Sequence, residues 1–398
     1  MASGGTAPPV PPAYGKEVAD IDPIVQPALP LTSDERVRYS RHLALSSVGE
    51  DGQRRLGAAR VLSIGAGGLG SSVLQYLAAA GVGTIGVIDD DRVEHSNLQR
   101  QVIHGEPDVG SFKVDSAASA VARLNSGVAV RRHRERLTAQ NAVDIVAAYD
   151  LVIDGSDNFA TRYLVNDACA IAGIPYVWGS ILGFEGQVSV FWQDAPGGLG
   201  RTYRDLHPQA PAPGLIPSCA EAGVVGSICG VVGSLMATEA VKLIVGIGAP
   251  LLGRVLVCDL LAMSMRQIPF GSRGLPPIRE LAGDPAAASD PIADRTIDAR
   301  EAQRWIAHRG IQLIDVREPF EARICAIEGA RLVPHEQLTE APADHLPADR
   351  DVLLYCKSGG RSGHALKTLR AAGYERVWHI DGGILAWIRD VDSSLTPY

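Results

Sequence analysis

Residues 60–70 read Arg-Val-Leu-Ser-Ile-Gly-Ala-Gly-Gly-Leu-Gly, a short apolar run that leads into a turn rich in glycine. The apolar run predicts a buried strand, and the residues after the turn predict a helix that continues to about Ala80. Further apolar runs follow over residues 84–88 and 151–153. Strands that alternate with helices in this way predict a doubly wound α/β fold built on a parallel sheet.

The glycine-rich turn matches the pattern G-x-G-x-x-G, with glycines at Gly65, Gly67, Gly68 and Gly70. Glycines allow a tight turn and a close approach of the backbone to a phosphate, which the start of the next helix attracts. Asp89 closes the following strand, where a carboxylate can hold ribose hydroxyls. On these residues alone, a nicotinamide-dependent oxidoreductase is the favoured function.

Length and composition describe a multidomain globular protein. At roughly 150 residues per domain, the 398 residues predict two or three domains. The formal net charge of −8 argues against a general nucleic-acid or anionic-membrane binder. The six cysteines form no C-x-x-C pair, which favours reduced thiols in a cytoplasmic protein. The first residues lack the pattern of a signal peptide, and no stretch predicts a confident bilayer span.

Composition changes along the chain predict two folded domains. Residues 1–30 are rich in Pro and Ala and predict a mobile tail, after which a first folded domain spans residues 31–270. Residues 271–294 are rich in Pro, Gly, Ala and Asp, which predicts a linker. A smaller α/β pattern restarts at residue 295 and continues to residue 398.

Charged residues after the glycine turn change the functional prediction. Asp91, Arg100 and Lys113 follow in order, and Asp157 and Asn158 come after the third apolar run. Hydride transfer has no need for such a set. Attack of a carboxylate on the α-phosphate of ATP does need it, because cations and a metal-holding carboxylate stabilise the charge that grows on the phosphoryl oxygens. The alternative is a solvated face with ordinary surface ion pairs.

As an ordered set, these residues resemble the ubiquitin-activating-enzyme superfamily, and residues 31–270 resemble the bacterial MoeB/ThiF adenylyltransferases. The resemblance implies that Asp157 is the magnesium ligand, that Asp89 holds the ribose, and that Arg41 reaches the ATP of a neighbouring subunit in a homodimer. Arg41, Arg100 and Lys113 would stabilise the reacting phosphate. The residues implied to bind MgATP are Gly65, Gly67, Gly68, Gly70, Asp89, Asp91, Ser96, Asn97, Leu98, Gln99, Arg100, Lys113, Asp157 and Asn158.

One position departs from that family. Its members commonly carry two C-x-x-C pairs that bind a structural zinc ion, and the first pair position here reads Thr202-Tyr-Arg-Asp205. No pair follows Arg266 either. We therefore expect no zinc site.

Cys356 lies in the sequence Val352-Leu-Leu-Tyr-Cys-Lys-Ser-Gly-Gly-Arg-Ser, which predicts a strand, a glycine-bearing loop and the start of a helix. Backbone N–H groups, the helix dipole and nearby cations of such a loop would stabilise a thiolate or a persulfide. The expected persulfide loop comprises Lys357, Ser358, Gly359, Gly360, Arg361 and Ser362. A cysteine phosphatase is the alternative, but its loop usually places five residues between Cys and Arg, and here four intervene.

The second domain resembles the rhodanese family through three segments, Asp315–Glu318, the loop at Cys356 and Asp381–Trp387. Cys219 matches the cysteine that members of the MoeB/ThiF family use as a covalent relay, so the resemblance implies that role for it. The remaining cysteines have apolar neighbours and are expected to be packing residues: Cys169, Cys229, Cys258 and Cys325.

An adenylating domain followed by a rhodanese domain resembles the MoeZ-type adenylyltransferase-sulfurtransferases. The resemblance implies that ATP activates the Gly-Gly carboxylate of a ubiquitin-like sulfur-carrier protein, and that sulfur from thiosulfate or a cysteine desulfurase converts it to a thiocarboxylate. The carrier could serve the molybdenum cofactor, thiamine, cysteine or a secondary metabolite. Two other classes stay open at this point: a nicotinamide-dependent oxidoreductase and a noncatalytic scaffold with a rhodanese docking domain.

Overall fold

The computed structural model describes residues 21–27, 29–211, 223–281, 292–346 and 350–398. The helices are α1 (Ser33–Arg38), α2 (Ser40–Leu43), α3 (Gly49–Ala58), α4 (Gly68–Ala80), α5 (Lys113–Leu124), α6 (Ala142–Ala147), α7 (Phe159–Ala172), α8 (Tyr203–Leu206), α9 (Gly226–Val245), α10 (Ala299–His308), α11 (Pro319–Ile324), α12 (His335–Glu340), α13 (Pro342–His345), α14 (Gly360–Ala371) and α15 (Gly383–Asp390). The strands are β1 (Arg60–Ile64), β2 (Thr84–Ile88), β3 (Ala129–His133), β4 (Leu151–Asp154), β5 (Tyr176–Leu182), β6 (Glu185–Phe191), β7 (Arg254–Asp259), β8 (Ser264–Pro269), β9 (Thr296–Ile297), β10 (Gln312–Asp315), β11 (Arg331–Leu332), β12 (Val352–Tyr355) and β13 (Val377–Ile380).

The larger sheet has the strand order β3-β2-β1-β4-β5-β6-β7-β8. Strands β3 to β5 pair in parallel, whereas β5 to β8 pair antiparallel. The order of the parallel strands reverses direction at β1, where ligands bind in doubly wound folds. The predicted doubly wound fold is confirmed, with an antiparallel extension that the sequence prediction did not include.

Among the described residues, helix α9 is long and apolar enough to cross a membrane, yet 61% of its most apolar stretch is buried inside the protein. Ile228, Val232 and Met236 belong to the same core cluster as the apolar side chains of α4. The apolar character of α9 is accounted for by this packing, because a helix enclosed on most sides by a core is apolar all round.

The segment at the start of the first domain is packed into the core of that domain. Ile21 and Val25 are buried in the core, and the Ile24 N–H donates to the Leu243 carbonyl at 3.2 Å. These residues therefore do not fit the mobile tail predicted for residues 1–30, of which residues 1–20 and residue 28 lie outside the described residues.

The predicted linker, residues 271–294, begins as an ordered segment. The Ile278 N–H donates to Gln193 Oε1 at 2.7 Å, and the Arg273 N–H donates to Asp205 Oδ1 at 2.8 Å. Residues 282–291 lie outside the described residues. The first part of the expected linker is therefore attached to the larger domain.

The smaller sheet is parallel throughout and has the order β11-β10-β12-β13-β9. Its central strand β12 and the neighbouring β10 are buried over nearly all their length. Because β10 and β12 are parallel neighbours, the segments that follow Asp315 and Tyr355 leave the sheet at the same edge. This edge brings Arg317 and Cys356 into one region.

Two candidate active sites

The glycine turn between β1 and α4 takes the conformation that its sequence predicts. Gly65 has a φ of +89°, a region that L side chains rarely adopt. A Cβ at Gly70 would overlap the Gly65 carbonyl oxygen, and one at Gly68 would lie 2.7 Å from Cys229 Sγ. Glycine is therefore required here both for backbone conformation and for close packing between the turn and helices α4 and α9.

A cleft of about 860 Å³ opens above this turn, a volume within the usual range for small-molecule sites. It lies at the carboxyl edge of β1, β2 and β4, where the doubly wound fold places ligands. Nine of the predicted binding residues line it: Gly65, Gly67, Gly68, Asp89, Asp91, Arg100, Lys113, Asp157 and Asn158. The structure thus brings together residues from five separate places in the chain.

Asp89 is fixed at the mouth of the glycine turn. Its Oδ2 accepts the Ala66 N–H at 2.9 Å, and its Oδ1 accepts the Asp91 N–H at 2.9 Å. Burial raises the pKa of Asp89, and the positive charge of Lys113 and the two backbone hydrogen bonds oppose that rise. The carboxylate is therefore oriented by backbone groups before any ligand enters.

Lys113 brings a positive charge into the wall of the cleft. Its side chain is 8% exposed, and its Nζ donates to Asp91 Oδ2 at 2.8 Å. The partner carboxylate of Asp91 is 62% exposed. A buried ammonium whose partner faces solvent can exchange part of that contact for a phosphate oxygen, so Lys113 is suited to a nucleotide phosphate.

The predicted set Ser96, Asn97, Leu98 and Gln99 does not line the cleft. Instead these residues form a short turn whose Asn97 Oδ1 accepts the Glu94 N–H at 3.1 Å. Arg100 Nη1 donates to the Ser96 carbonyl at 3.0 Å. The turn positions Arg100 at the cleft, and the contacts of the other four residues with MgATP stay a prediction.

Asp157 and Asn158 begin helix α7 beside the cleft. Asn158 Oδ1 accepts the Thr161 N–H at 2.9 Å, which makes Asn158 the helix N-cap. Asp157 is exposed and lines the cleft. An accessible carboxylate suits Mg²⁺, which prefers oxygen ligands and keeps several of its waters, so Asp157 fits the predicted role in holding magnesium with ATP.

Several residues that line the cleft were not among those predicted, and Arg162 and Gln101 are two buried polar examples. Arg162 is 6% exposed, lines the cleft and donates from Nη2 to the Ser156 carbonyl at 3.1 Å. Gln101 is 4% exposed and also lines the cleft, next to Gly67. The signal for Arg162 was its position one helical turn after the cap Asn158, which places it on the same side of α7.

Arg41 lies on the short helix α2, is exposed, and is not among the residues that line the cleft of its own chain. The prediction that Arg41 serves a neighbouring subunit's ATP therefore stays a prediction. Nothing within the described part of the chain brings it to this cleft.

At the position where relatives of the family carry a zinc pair, hydrogen bonds join two segments. Asp205 Oδ2 accepts the Thr202 N–H at 2.8 Å. The other carboxylate oxygen accepts the Arg273 N–H at 2.8 Å, and Arg273 Nε donates to the Asp205 carbonyl at 2.8 Å. These contacts connect α8 to the segment after β8, and the expectation that no zinc binds remains a prediction.

Cys356 lies directly after β12 and is fully buried. The Gly359 N–H points at its Sγ from 3.1 Å, and the Ser362 hydroxyl lies 3.6 Å from the same sulfur. Gly359 has a φ of +97° and precedes helix α14. Backbone and hydroxyl donors at the start of a helix are the groups expected around a thiolate or a persulfide.

The sequence predicted that the charges of Lys357 and Arg361 stabilise the sulfur, and that role stays a prediction. The described partner of Arg361 is Glu321, whose two oxygens accept from Nη1 and Nη2 at 2.6 and 2.8 Å. Lys357 Nζ lies 4.5 Å from the centre of the Tyr398 ring. Gly359 and Ser362 thus direct donors at the sulfur, and Arg361 and Lys357 also contact the surrounding side chains of Glu321 and Tyr398.

The other cysteines are consistent with packing. Cys169, Cys229, Cys258 and Cys325 are buried. Burial raises the pKa of Cys169 well above its ordinary value and also raises that of Cys258, which disfavours the reactive thiolate. Cys219, the predicted relay, lies outside the described residues.

Comparison with known proteins agrees with this division into two sites. The model of the ThiF family matches residues 39–274, and the model of the rhodanese-like domain matches residues 298–390. The probable adenylyltransferase/sulfurtransferase MoeZ of Mycobacterium tuberculosis is 51% identical over 391 residues, which cover 95% of this chain and 99% of that protein.

Relatives that match mainly the larger domain point the same way. The sulfur carrier protein adenylyltransferase of Thermus thermophilus is 52% identical over 238 residues, 60% of this chain and 88% of that protein. The solved structure of Escherichia coli MccB with ATP shares the fold at a TM-score of 0.52 and 23% identity, covering 61% of this chain and 74% of that one. The predicted enzyme class is confirmed by these relatives, which do not favour an oxidoreductase or a noncatalytic scaffold. The chain belongs to the ThiF family and, along nearly its whole length, to the adenylyltransferase/sulfurtransferases in which a rhodanese-like domain follows the ThiF domain.

Proposed function

We propose that this enzyme uses ATP to adenylate the C-terminal Gly-Gly carboxylate of a small ubiquitin-like sulfur-carrier protein and then converts that carboxylate to a thiocarboxylate. The observation that carries the proposal is the presence, in one chain, of a nucleotide-sized cleft lined by Arg100 and Lys113 and of a buried thiol, Cys356, with hydrogen-bond donors aimed at its sulfur. The printed names of the Thermus relative and of the Haloferax volcanii SAMP-activating enzyme E1 support the carrier as substrate.

In the first half-reaction, a carboxylate oxygen of the carrier attacks the α-phosphorus of ATP. The bond between that phosphorus and the bridging oxygen breaks, and pyrophosphate leaves. Lys113 and Arg100 stabilise the charge that develops on the phosphoryl oxygens, and Asp89 holds the ribose hydroxyls. Asp157 would hold the magnesium ion, which neutralises phosphate charge when it is bound with ATP.

In the second half-reaction, Cys356 carries the sulfur. Its thiolate attacks the outer sulfur of thiosulfate, the sulfur–sulfur bond of thiosulfate breaks, and sulfite leaves. The outer sulfur of the resulting persulfide then attacks the acyl carbon of the adenylate, and AMP leaves. Activation is required because an oxide ion is a very poor leaving group, whereas AMP is a good one.

Release of the product needs two electrons. A thiolate attacks Cys356 Sγ in the acyl disulfide, forms a disulfide with it and expels the carrier thiocarboxylate. Cys219 is our candidate for that thiolate, and an external dithiol then reduces the protein disulfide.

The assembly and cellular setting are part of the same proposal. We propose a cytoplasmic homodimer formed through the ThiF domain, in which Arg41 reaches the nucleotide of the partner subunit. The sulfur donor would be thiosulfate or a cysteine desulfurase. Synthesis of the molybdenum cofactor is one destination for the sulfur.

The test is the intact mass of a Gly-Gly-ended carrier from the same genome after incubation with enzyme, MgATP, thiosulfate and a dithiol. Replacement of one carrier oxygen by sulfur is the expected result. An unchanged carrier with accumulation of AMP and pyrophosphate would overturn the sulfur-transfer step. An unchanged carrier without nucleotide turnover, repeated over every Gly-Gly-ended carrier of that genome, would overturn the whole proposal.

A further inference from the structure

Two separate groups of side chains hold the residues on either side of Cys356. The first group holds Tyr355, the residue before the cysteine. The Tyr355 hydroxyl donates to Asp315 Oδ2 at 2.9 Å, and the same carboxylate accepts from Arg317 Nε at 2.8 Å. All three side chains are buried. The amino-terminal side of the sulfur loop is therefore anchored through Asp315 to Arg317.

The second group holds Arg361, on the other side of the loop. Its guanidinium forms two hydrogen bonds with the carboxylate of Glu321, which is 1% exposed. The Glu318 N–H also donates to Glu321, at 3.0 Å. This paired, buried arrangement fixes the carboxyl-terminal side of the loop, because a two-pronged guanidinium–carboxylate pair has a defined geometry.

Tyr398 joins the two groups. Arg317 Nη1 donates to the Tyr398 oxygen at 2.6 Å, and the Tyr398 hydroxyl donates to Glu321 Oε1 at 3.1 Å. The ring of Tyr398 also lies 4.5 Å from Lys357 Nζ, within the range of a cation–π contact. The tyrosine thus contacts both anchoring groups and the residue that follows Cys356.

The protonation states of Tyr398 and Glu321 favour the hydrogen bonds that join the two groups. Burial raises the pKa of Tyr398, so its hydroxyl keeps the proton that it donates. Burial alone would raise the pKa of Glu321, but the hydrogen bonds from Arg361, the Glu318 N–H and Tyr398 outweigh it and lower the pKa. Glu321 therefore remains an acceptor for both Arg361 and Tyr398.

We propose that Tyr398 is a positioning residue for sulfur transfer, because it links the supports on the two sides of Cys356 and so keeps the Gly359 N–H directed at the sulfur. The inference rests on the proposed role of Cys356 as the sulfur carrier. Tyr398 itself touches no reacting atom in this account. Its effect is on how often the loop has the geometry that stabilises a negative sulfur.

Tyr398→Phe tests the hydrogen bonds of Tyr398 apart from its packing, because it removes the hydroxyl and keeps the ring beside Lys357. Arg317 and Glu321 then each lose one partner in a buried setting. We expect persulfide formation from thiosulfate to slow about tenfold, with KM for thiosulfate little changed. The acid limb of the rate profile moves to higher pH, since Glu321, which faces Arg361 and Tyr398, loses a hydrogen bond that lowers its pKa.

The experiment measures sulfite release from thiosulfate and ATP–pyrophosphate exchange in the same preparations of full-length enzyme. Tyr374→Phe is the matched control, because Tyr374 is a half-buried tyrosine of the same domain whose hydroxyl makes no hydrogen bond with any described residue. The control and the adenylation activity are expected to match the wild type. Equal sulfite release by Tyr398→Phe and wild type would overturn the inference.

A double-mutant cycle keeps the inference testable if the tyrosine variant is less stable. Glu321→Ala and Tyr398→Phe each remove one end of the Tyr398–Glu321 hydrogen bond, so their effects on the sulfite-release rate should be strongly non-additive. Additive effects would contradict the proposed link. A wild-type enzyme that releases no sulfite would instead overturn the proposed function, and this separates the failure of one idea from the failure of the other.

Discussion

The nucleotide cleft and the sulfur loop solve the same electrostatic problem, stabilisation of a negative reacting group, in different ways. The cleft has a volume of about 860 Å³ and presents charged side chains to its interior, among them Lys113 and the exposed Asp157. In the sulfur loop Cys356 is completely buried, and the cations Arg361 and Lys357 contact Glu321 and the Tyr398 ring.

The difference follows from the size and charge of what each site must hold. A nucleotide brings several charges of its own, so the cleft can keep charged groups whose pairing changes when the ligand enters. A persulfide adds one sulfur atom with one negative charge, for which a few backbone and hydroxyl donors are sufficient. Arg361 and Lys357 also contact Glu321 and Tyr398, the side chains that support the loop carrying those donors.

The largest expected effect concerns the sulfur atom itself. Cys356→Ser should reduce thiosulfate-dependent sulfite release to background, because a serine hydroxyl is not ionised near neutral pH and forms no persulfide. ATP–pyrophosphate exchange with the carrier should remain at the wild-type rate. Loss of both activities would mean that the two sites are not separable, and retention of sulfite release would exclude Cys356 as the sulfur carrier.

The reciprocal change is Lys113→Met, which keeps the length of the side chain and removes its charge. We expect ATP–pyrophosphate exchange to fall about 10²–10³-fold, the usual loss when one preorganised group that stabilises transition-state charge is removed. Sulfite release from thiosulfate should not change. An equal fall in both rates would indicate a general loss of folding, which a thermal unfolding curve of the same variant would reveal.

A smaller effect is expected from Gly68→Ala at the floor of the cleft. The new Cβ would lie 2.7 Å from Cys229 Sγ, so the turn must shift away from α9 and the phosphate groups lose their backbone contacts. We expect the KM for ATP to rise about tenfold, in line with loss of one charged hydrogen bond. Gly57→Ala is the control, because a Cβ at Gly57 meets nothing within 4 Å; an unchanged KM in Gly68→Ala would contradict this account of the turn.

Stability of the larger domain should depend on the hydrogen bonds around Asp205. Asp205→Ala removes the acceptors for the Thr202 and Arg273 N–H groups and should lower the free energy of unfolding by about 1–3 kcal/mol. Denaturant titration measures this change. The same titration of the wild type with added zinc is a second measurement. A zinc-dependent rise in stability would contradict the predicted absence of a zinc site.

The smallest expected effect is a pH dependence that differs between the sites. Burial raises the pKa of Asp89, whereas Glu321 near the sulfur has a lowered pKa. As the pH falls, Asp89 is protonated at a higher pH than an ordinary aspartate, so ATP binding should weaken several-fold before ordinary aspartates titrate. Isothermal titration of ATP into wild type and Asp89→Asn measures this: the variant should bind weakly without that pH dependence, and parallel profiles would exclude Asp89 as its source.

Much of this organisation could be predicted because its signals are local. The doubly wound fold follows from apolar runs and a glycine turn that are contiguous in sequence, and Cys356 is identified by the loop immediately around it. The residues of the cleft come from separate segments, yet each follows the carboxyl end of a parallel strand or precedes a helix. A common edge of the sheet was therefore enough to predict that they meet.

The features that the sequence did not predict depend on contacts between distant segments, which local patterns do not encode. The resemblance to the MoeB/ThiF family implied that Ser96–Gln99 bind MgATP; they do not line the cleft in the described structure, and the implied contacts stay a prediction. Glu321 and Tyr398 stand 77 positions apart in the sequence, and no periodicity or spacing pairs them. Residues 271–281 have the composition of a linker, although their backbone is held by Gln193 and Asp205.

The sequence by itself determined the two chemistries, because a phosphate-binding turn and a cysteine loop are built from consecutive residues whose backbone conformations are set locally. The tertiary structure alone decided how each charge is used. Lys113 faces a cleft and Arg361 faces a carboxylate because of the distant segments that pack beside them. Burial then sets how strong each of these electrostatic interactions is and how far it shifts a pKa.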